Sequence, residues 1–469
     1  MHYFRETDIS KRKAFVDGLA EGVVPALQRI HYEKNLSDTF WRRILQPYLW
    51  SVAKRSEAYK NTSKKLRTTI FPIDGFRPPT RMQSGGHALR QLMTGLNRVI
   101  RQSSSPATST SVESICIGQT AMMIASDLSA KSIDPLFLGC FCLFDSRKRR
   151  ILNQIIEECD DSLLRNVLRF MPRVYVEFFD SLLKRSASFK TKNVIKNVYI
   201  EHFPTFFDLF LVSLLSDAGA CVYQIQLGAG PGEIDYPGEA LGRVYYDKLL
   251  TYGWSRSSNE IPFYAARLEK FASDYRKCAN DHPDIDILFV YNREASDSLS
   301  DYYKRCNSAV LQQLDRKRYP RIAARPRSVS RKIKLFRTPR ISGIGKRSQI
   351  EIVSGSGSIA PLCARSRVVI HWSHPATNVL ENIFVDHPVM AVFDWPSVTE
   401  VFKPYYEFFS DVGILHKSPE ALIEFLNNID LEDWWANIAA RPHYQEFKKM
   451  FSRSRLQYMQ TTSYMNGET

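Results

Sequence analysis

Along the N-terminal stretch of the chain, apolar side chains recur at helical spacing. Phe15, Leu19, Val23, Leu27 and Ile30 fall every three or four positions, which predicts a helix with one buried stripe. The run Phe40-Trp-Arg-Arg-Ile-Leu-Gln-Pro-Tyr-Leu-Trp50 predicts a second, strongly aromatic one. Candidate helices continue to about residue 190, interrupted by the polar tract 102–111, which marks an exposed loop or insertion. Beyond residue 190 the pattern changes. Short β-branched and aromatic runs at 197–200, 220–226, 248–252, 285–291, 350–353, 367–371 and 389–393 alternate with stretches of helical period, and that alternation argues for parallel α/β layers. Ser418 followed by Pro419 and an apolar stripe reads as a helix cap and first turn, and a final helix from Leu431 to about Phe451 contains Trp434 and Trp435.

The segment 366–394 is the most informative, because strand, polar turn, helix and strand follow one another within a single βαβ unit. Val368, Val369 and Ile370 suit a buried parallel strand, as do residues 389–393. Between them, Thr377 or Asn378 caps a short helix whose first turn points its N–H groups into the loop 372–376. A helix start carries partial positive charge and unpaired donors, so a diphosphate can bind there without a metal. An ordinary βαβ connection with a hydrophilic turn fits the same pattern.

Composition narrows the class. A chain of 469 residues with 44% hydrophobic and 12% aromatic content has ample core for two or three domains. The net charge of +15 points to an anionic partner, and much of it is local to residues 316–347, either a solvated basic loop or a binding patch. Eight cysteines lie scattered, several in apolar runs, which fits a reducing compartment. The start of the chain is polar, and the longest apolar run, 203–215, is broken by Asp208 and too short to span a bilayer. The expected location is cytoplasmic, with peripheral contact at the inner face of a membrane compatible with the charge.

Other chemistry-bearing positions follow the strands. After 220–226 comes Leu227-Gly-Ala-Gly-Pro-Gly-Glu233, where Gly228, Gly230 and Gly232 remove side chains from a surface a ligand can touch. The spacing is not the dinucleotide fingerprint, and no Gly-Lys-Ser/Thr follows for a Walker loop; a tight strand-to-loop turn is the simpler account. Glu201, Glu233 and Asp235 sit at or near strand ends as candidate general bases. Asp284-Ile-Asp286 has the acid-any-acid form of a metal-holding pair but precedes its strand, so no metal site is assigned there. His371 and His374 lack a third ligand nearby, which favours hydrogen bonding to a ligand or core packing over zinc.

Taken together, residues 197–254 and 350–451 resemble the surface-polysaccharide transferases grouped as the LIC12162 family. The likeness rests on Gln226-Leu-Gly-Ala-Gly-Pro-Gly232, on Asp247-Lys-Leu-Leu-Thr-Tyr-Gly-Trp254, on Ser373-His-Pro-Ala-Thr-Asn-Val-Leu-Glu381, on Trp434-Trp435 and on the aromatic segment from Phe40 to Trp50. Members carry His after the Gln, where this chain has Leu227, and usually begin with a further strand-bearing segment, so this chain is expected to start after it. The resemblance implies a GT-B-like α/β fold, two Rossmann-like domains facing a cleft behind a helical N-terminal segment. It divides the chain into an acceptor-side domain at 1–250, a nucleotide-sugar-binding domain at 251–430, and a C-terminal helix and tail at 431–469 that crosses back.

The implied chemistry is metal-independent glycosyl transfer from a nucleotide-activated sugar, which serves as substrate with no cofactor, to a surface polysaccharide or lipopolysaccharide acceptor, glycan or lipid-linked. Glu201 or Glu233 deprotonates the acceptor hydroxyl. Gln226, Gly228, Gly230, Arg325, Ser373, His374, Thr377 and Glu381 bind the donor, with Ser373, His374 and Thr377 on the phosphates and Glu381 on the ribose. Two alternatives stand beside it: a CDP-polyol phosphotransferase of the same fold, and a catalytically inert anion- or nucleic-acid-binding relative. No nucleic-acid partner is expected on the main reading.

Overall fold

The computed structural model describes residues 6–59, 113–117, 119–133, 145–172, 175–190, 194–201, 206–234, 245–279, 283–291, 297–326, 350–353, 357–374, 376–393 and 398–465. The polar tract 102–111, Asp235 and most of the basic segment 316–347 lie outside these residues. The chain forms two compact units, one comprising residues 4–225 and 240–249, the other residues 226–239 and 250–469.

The N-terminal unit opens with helices α1 (Glu6–Ile30) and α2 (Asp38–Tyr59), joined through Asn35 in the left-handed region at φ 38. The stripe expected from the spacing is buried: Val23, Leu27 and Ile30 from α1 meet Phe40, Trp41, Ile44 and Tyr48 from α2 in one core with Tyr175, Phe179 and Phe210. Trp41 stacks on Phe179 at 4.8 Å between ring centroids. Beside this bundle, strands β1 (Ser114–Ile117), β2 (Lys131–Ile133), β3 (Asn197–Ile200) and β4 (Cys221–Ile225) pair in parallel in the order β2-β1-β3-β4; β5 (Lys248–Thr251) spans the boundary at residue 250, and β6 (Glu260–Pro262) belongs to the C-terminal unit. β1 and β2 lie where the periodicity indicated only helices; three or four residues are too few to display an alternating pattern.

In the C-terminal unit, β7 (Ile285–Tyr291), β8 (Ile322–Pro326), β9 (Glu351–Ile352), β10 (Ser366–His374), β11 (Val389–Phe393) and β12 (Leu415–His416) form one all-parallel sheet in the order β12-β11-β10-β7-β8-β9. Every residue of β7 is buried, as a strand covered on both faces requires. Alternate residues of β10 serve different cores. Val368, Ile370 and Trp372 pack with Phe289, Met390 and Leu422, whereas Val369 lies with Leu288, Ala323 and Cys363.

The α/β class, the two units built on parallel sheets and the helical N-terminal segment agree with the sequence reading. The boundary differs. Residues 226–239, expected with the first domain, belong to the C-terminal unit, and so do the terminal helices 431–465. The reason is local: Gly253 lies against the Met450 carbonyl, Arg453 N donates to the Tyr252 carbonyl at 2.9 Å and Ala265 N donates to the Arg453 carbonyl at 2.9 Å, so the chain's end is bonded to residues 252–265.

Candidate functional site

Strand order in the C-terminal unit reverses at β7. The chain steps from β7 to β8 and β9 on one side, then returns to β10 and proceeds to β11 and β12 on the other. In open parallel sheets, ligands bind outside the carboxyl ends of the strands at such a reversal, and the element leaving the carboxyl end of β10 is helix α3 (Thr377–Phe384).

The start of α3 differs from the expected cap. Ala376, extended at φ −141, occupies the cap position and makes no side-chain hydrogen bond, while Thr377 is the first helical residue. Asn378 donates instead to the Glu381 carboxylate within its own helix. Alanine has no side-chain acceptor to offer, so Ala376 does not cap the first-turn amides as a Ser or Asp would. Ser373 and His374 end β10, where its register against β11 shifts between His371 and His374, and their side chains lie outside the described residues.

The glycine turn after β4 sits on this helix start. A Cβ added to Gly228 would fall 2.0 Å from Thr377 Oγ1, so only glycine allows this approach. Gly230 and Gly232 have φ of 108 and 81, and a Cβ on Gly232 would meet the Trp254 ring at 2.5 Å. The Gln226 amide is engaged within the protein: Nε2 donates to the Gly228 carbonyl at 2.9 Å, and Oε1 accepts from Tyr252 N and Trp254 Nε1, each at 2.9 Å. Gln226 is buried, and these three bonds hold the turn. The element from Asp247 to Trp254 has the same supporting role. Asp247 Oδ2 accepts from Val222 N at 2.8 Å, Thr251 Oγ1 donates to the Trp254 carbonyl, and Gly253, at φ 126, leaves room for the Met450 carbonyl.

The two candidate bases fall in different units. Glu201 is buried at the end of β3, where its carboxylate accepts from Thr120 N at 2.5 Å. Glu233, expected from the first domain, is in the C-terminal unit, buried, with Oε1 accepting from Gly230 N at 3.2 Å and Oε2 from the Tyr406 hydroxyl at 2.9 Å. Burial pushes this carboxyl up to about 7, against both hydrogen bonds. Its backbone carbonyl accepts from Thr399 N at 3.0 Å, which ties the end of the turn to the segment after β11.

Glu381 is buried one turn into α3. Burial raises its carboxyl above the ordinary range, and Arg267, Asn378 and Arg325 oppose that rise. Arg325, on β8, donates to the Gly357 carbonyl at 2.5 Å, and burial lowers its guanidinium, partly offset by Cys363 and Glu381. It therefore acts on Glu381 as a positive charge and is occupied by a backbone oxygen. Arg267 escaped the sequence reading. It lies in the first turn of helix α4, taken here as Ala266–Arg276 upstream of β7, with Nη1 donating to the Leu227 carbonyl at 3.2 Å and Nε 3.4 Å from Glu381 Oε1. The signal that could have found it is a cation in a helix's first turn, where the macrodipole disfavours one.

His371 is fully buried, and neither ring nitrogen has a hydrogen-bond partner among the described residues. Burial pulls it down to about 3, so the imidazole is neutral. Asp284 pairs with Arg365 and Asp286 with Arg321, at 2.5 and 2.7 Å, which accounts for both acids of the Asp-x-Asp pattern. Among the described residues no group of three or more His, Cys, Asp or Glu is placed to hold a metal ion.

A model of the LIC12162 family, described as a family of transferases, matches residues 87–462. No curated protein matches the chain. Among solved structures, MurG of Acinetobacter baumannii is similar at 12% identity, covering 72% of this chain and 99% of its own, with a TM-score of 0.38. A protein described as a UDP-N-acetylglucosamine 2-epimerase from Listeria monocytogenes gives 11%, 77%, 98% and 0.42, and HepE of Anabaena, solved with UDP-glucose, gives 11%, 76%, 100% and 0.41. Likenesses this distant carry no argument about activity.

Proposed function

We propose, from the premise that this chain belongs to the LIC12162 family of transferases, that it moves a glycosyl group from a nucleotide-activated donor to a surface polysaccharide or lipopolysaccharide acceptor. One observation carries the donor side of this reading: a helix start whose cap residue, Ala376, offers no side-chain acceptor, at the carboxyl end of β10, where strand order reverses, with the Gly228 backbone lying on Thr377. A leaving diphosphate gains charge as the glycosidic bond to it breaks. Oriented amides at Thr377 and Asn378 stabilise that charge without reorganising.

The proton released by the acceptor hydroxyl goes to Glu233 or Glu201. Glu233, brought near neutrality by burial, has a proton affinity matched to such transfer, and reaching it requires the Tyr406 contact to open. Glu201 is the alternative that the same substitution separates. The Glu→Gln variant of the true proton acceptor loses turnover while retaining donor binding. No helix among the described residues is long and apolar enough to cross a membrane, and contact with a lipid-linked acceptor is peripheral on this reading.

The test is a thermal-shift panel of UDP-, GDP-, CDP-, dTDP- and CMP-linked compounds on the wild type and on Thr377→Val, which removes the hydroxyl and keeps the shape. A stabilising nucleotide whose effect shrinks in the variant supports the site; no stabilisation by any member contradicts it. Release of nucleoside diphosphate on turnover supports glycosyl transfer. Release of CMP from a CDP-polyol donor moves the assignment to polyol-phosphate transfer.

A further inference from the structure

We propose that Arg267 is the cation that receives the diphosphate of the nucleotide-activated donor; this rests on the reading above and adds to it the residue that recognises the charge. Leu227 immediately precedes Gly228, and Glu381 lies one turn into α3, so the two groups that Arg267 touches flank the point where the glycine turn meets Thr377. Its present contacts are weak ones. The Leu227 carbonyl is a neutral acceptor at 3.2 Å, and Glu381 Oε1 stands at 3.4 Å from Nε on a carboxyl whose ionised form burial disfavours.

Two other arginines of the same unit are held more tightly. Arg305 grips Glu420 through two bonds of 2.7 Å, and Arg321 reaches Asp286 at 2.7 Å. Arg267 leaves 46% of its side chain open to solvent, an exposure it shares with Arg305 and Arg321, so an incoming anion can reach it. A first-turn cation opposes the helix macrodipole, and one neutral carbonyl and one carboxylate at 3.4 Å offset that poorly. An incoming diphosphate would replace a neutral acceptor with charged oxygens that match the planar guanidinium fork, giving shorter and stronger bonds. Arg325 is the less suitable cation, because it is bonded to the Gly357 carbonyl at 2.5 Å and more deeply buried.

The experiment measures binding of UDP, GDP, CDP, dTDP, inorganic pyrophosphate and the matching nucleosides to wild type, Arg267→Lys and Arg267→Gln by calorimetry at two salt concentrations. Unliganded melting of each variant confirms folding. For the diphosphate that the wild type binds, Arg267→Gln should weaken affinity about 10- to 150-fold, the range for a hydrogen bond to a charged group. Arg267→Lys should recover part of the loss, the salt dependence should flatten in Arg267→Gln, and affinity for the nucleoside should not change. Equal losses for diphosphate and nucleoside would make Arg267 a clamp for the turn and overturn the proposal. Unchanged diphosphate affinity would overturn it too, while leaving the transferase reading in place; a wild type that binds none of the probes would sink both.

Discussion

Replacing Gly228 with alanine tests the juxtaposition on which the donor site depends. The added methyl would lie 2.0 Å from Thr377 Oγ1 and 3.1 Å from Thr377 Cβ and Cγ2, against an ordinary contact near 3.5–4.0 Å. Gly228 lacks the positive φ of Gly230 and Gly232, so the backbone itself accepts alanine and the penalty comes from this clash alone. Overpacking of this kind typically costs about 1–3 kcal/mol. For a cooperative unit of this size that is a fall in melting temperature of about 2–12 °C. The assay is a double-mutant cycle by urea denaturation, comparing Gly228→Ala in the wild type and in Thr377→Ala. Removing Oγ1 and Cγ2 leaves, of the three nearest atoms, Thr377 Cβ at 3.1 Å, which a small shift relieves. The two substitutions should therefore couple by about 1–2 kcal/mol, the second relieving the first. If Gly228→Ala is neutral, or equally destabilising in both backgrounds, the turn does not rest on the helix start.

Gln226→Leu should destabilise the C-terminal unit by about 2–4 kcal/mol, because it leaves the buried Tyr252 amide, Trp254 indole and Gly228 carbonyl without their partner; urea unfolding with near-ultraviolet dichroism of Trp254 reads both loss and site. Glu233 is raised in the fold, so its contribution to stability is full below the unfolded carboxyl value and is lost as pH rises toward about 7. Relative to wild type, Glu233→Gln should therefore gain stability across about pH 4.5 to 7, by an amount on the order of 3 kcal/mol, and a flat difference between their pH–stability curves would refute this. His371 is lowered to about 3, so its neutral burial supports the fold above the unfolded histidine value and is lost as pH falls toward 3. His371→Leu should flatten the acid limb of the stability curve in that window.

What the sequence disclosed depended on how local each feature was. The α1 stripe, the β10-turn-α3-β11 unit and the Ser418 cap all announce themselves through short-range pattern, and the Ser418 side chain does accept from Ala421 N at 3.1 Å. The glycine turn was visible as glycines, but not what each glycine avoids, since Thr377 and Trp254 lie far away in sequence. Gln226 and Trp254 were quoted as separate motif residues when they form one hydrogen-bonded anchor. Glu233 stands in the sequence as a candidate general base near a strand end; its partner Tyr406 is 173 residues distant and nothing local foretells it. Arg267 was missed for the same reason, because its meaning comes from Leu227 and Glu381, which only the fold brings to it.

Hydrogen exchange followed by mass spectrometry, with and without the nucleoside diphosphate that most stabilises the wild type, bears most directly on the donor site. Peptides covering the first turn of α3, beginning at Thr377, and those covering the turn from Gln226 to Glu233 should both exchange more slowly when the ligand is bound. Protection confined to other parts of the chain, with the α3 start exchanging at its unliganded rate, would contradict the assignment.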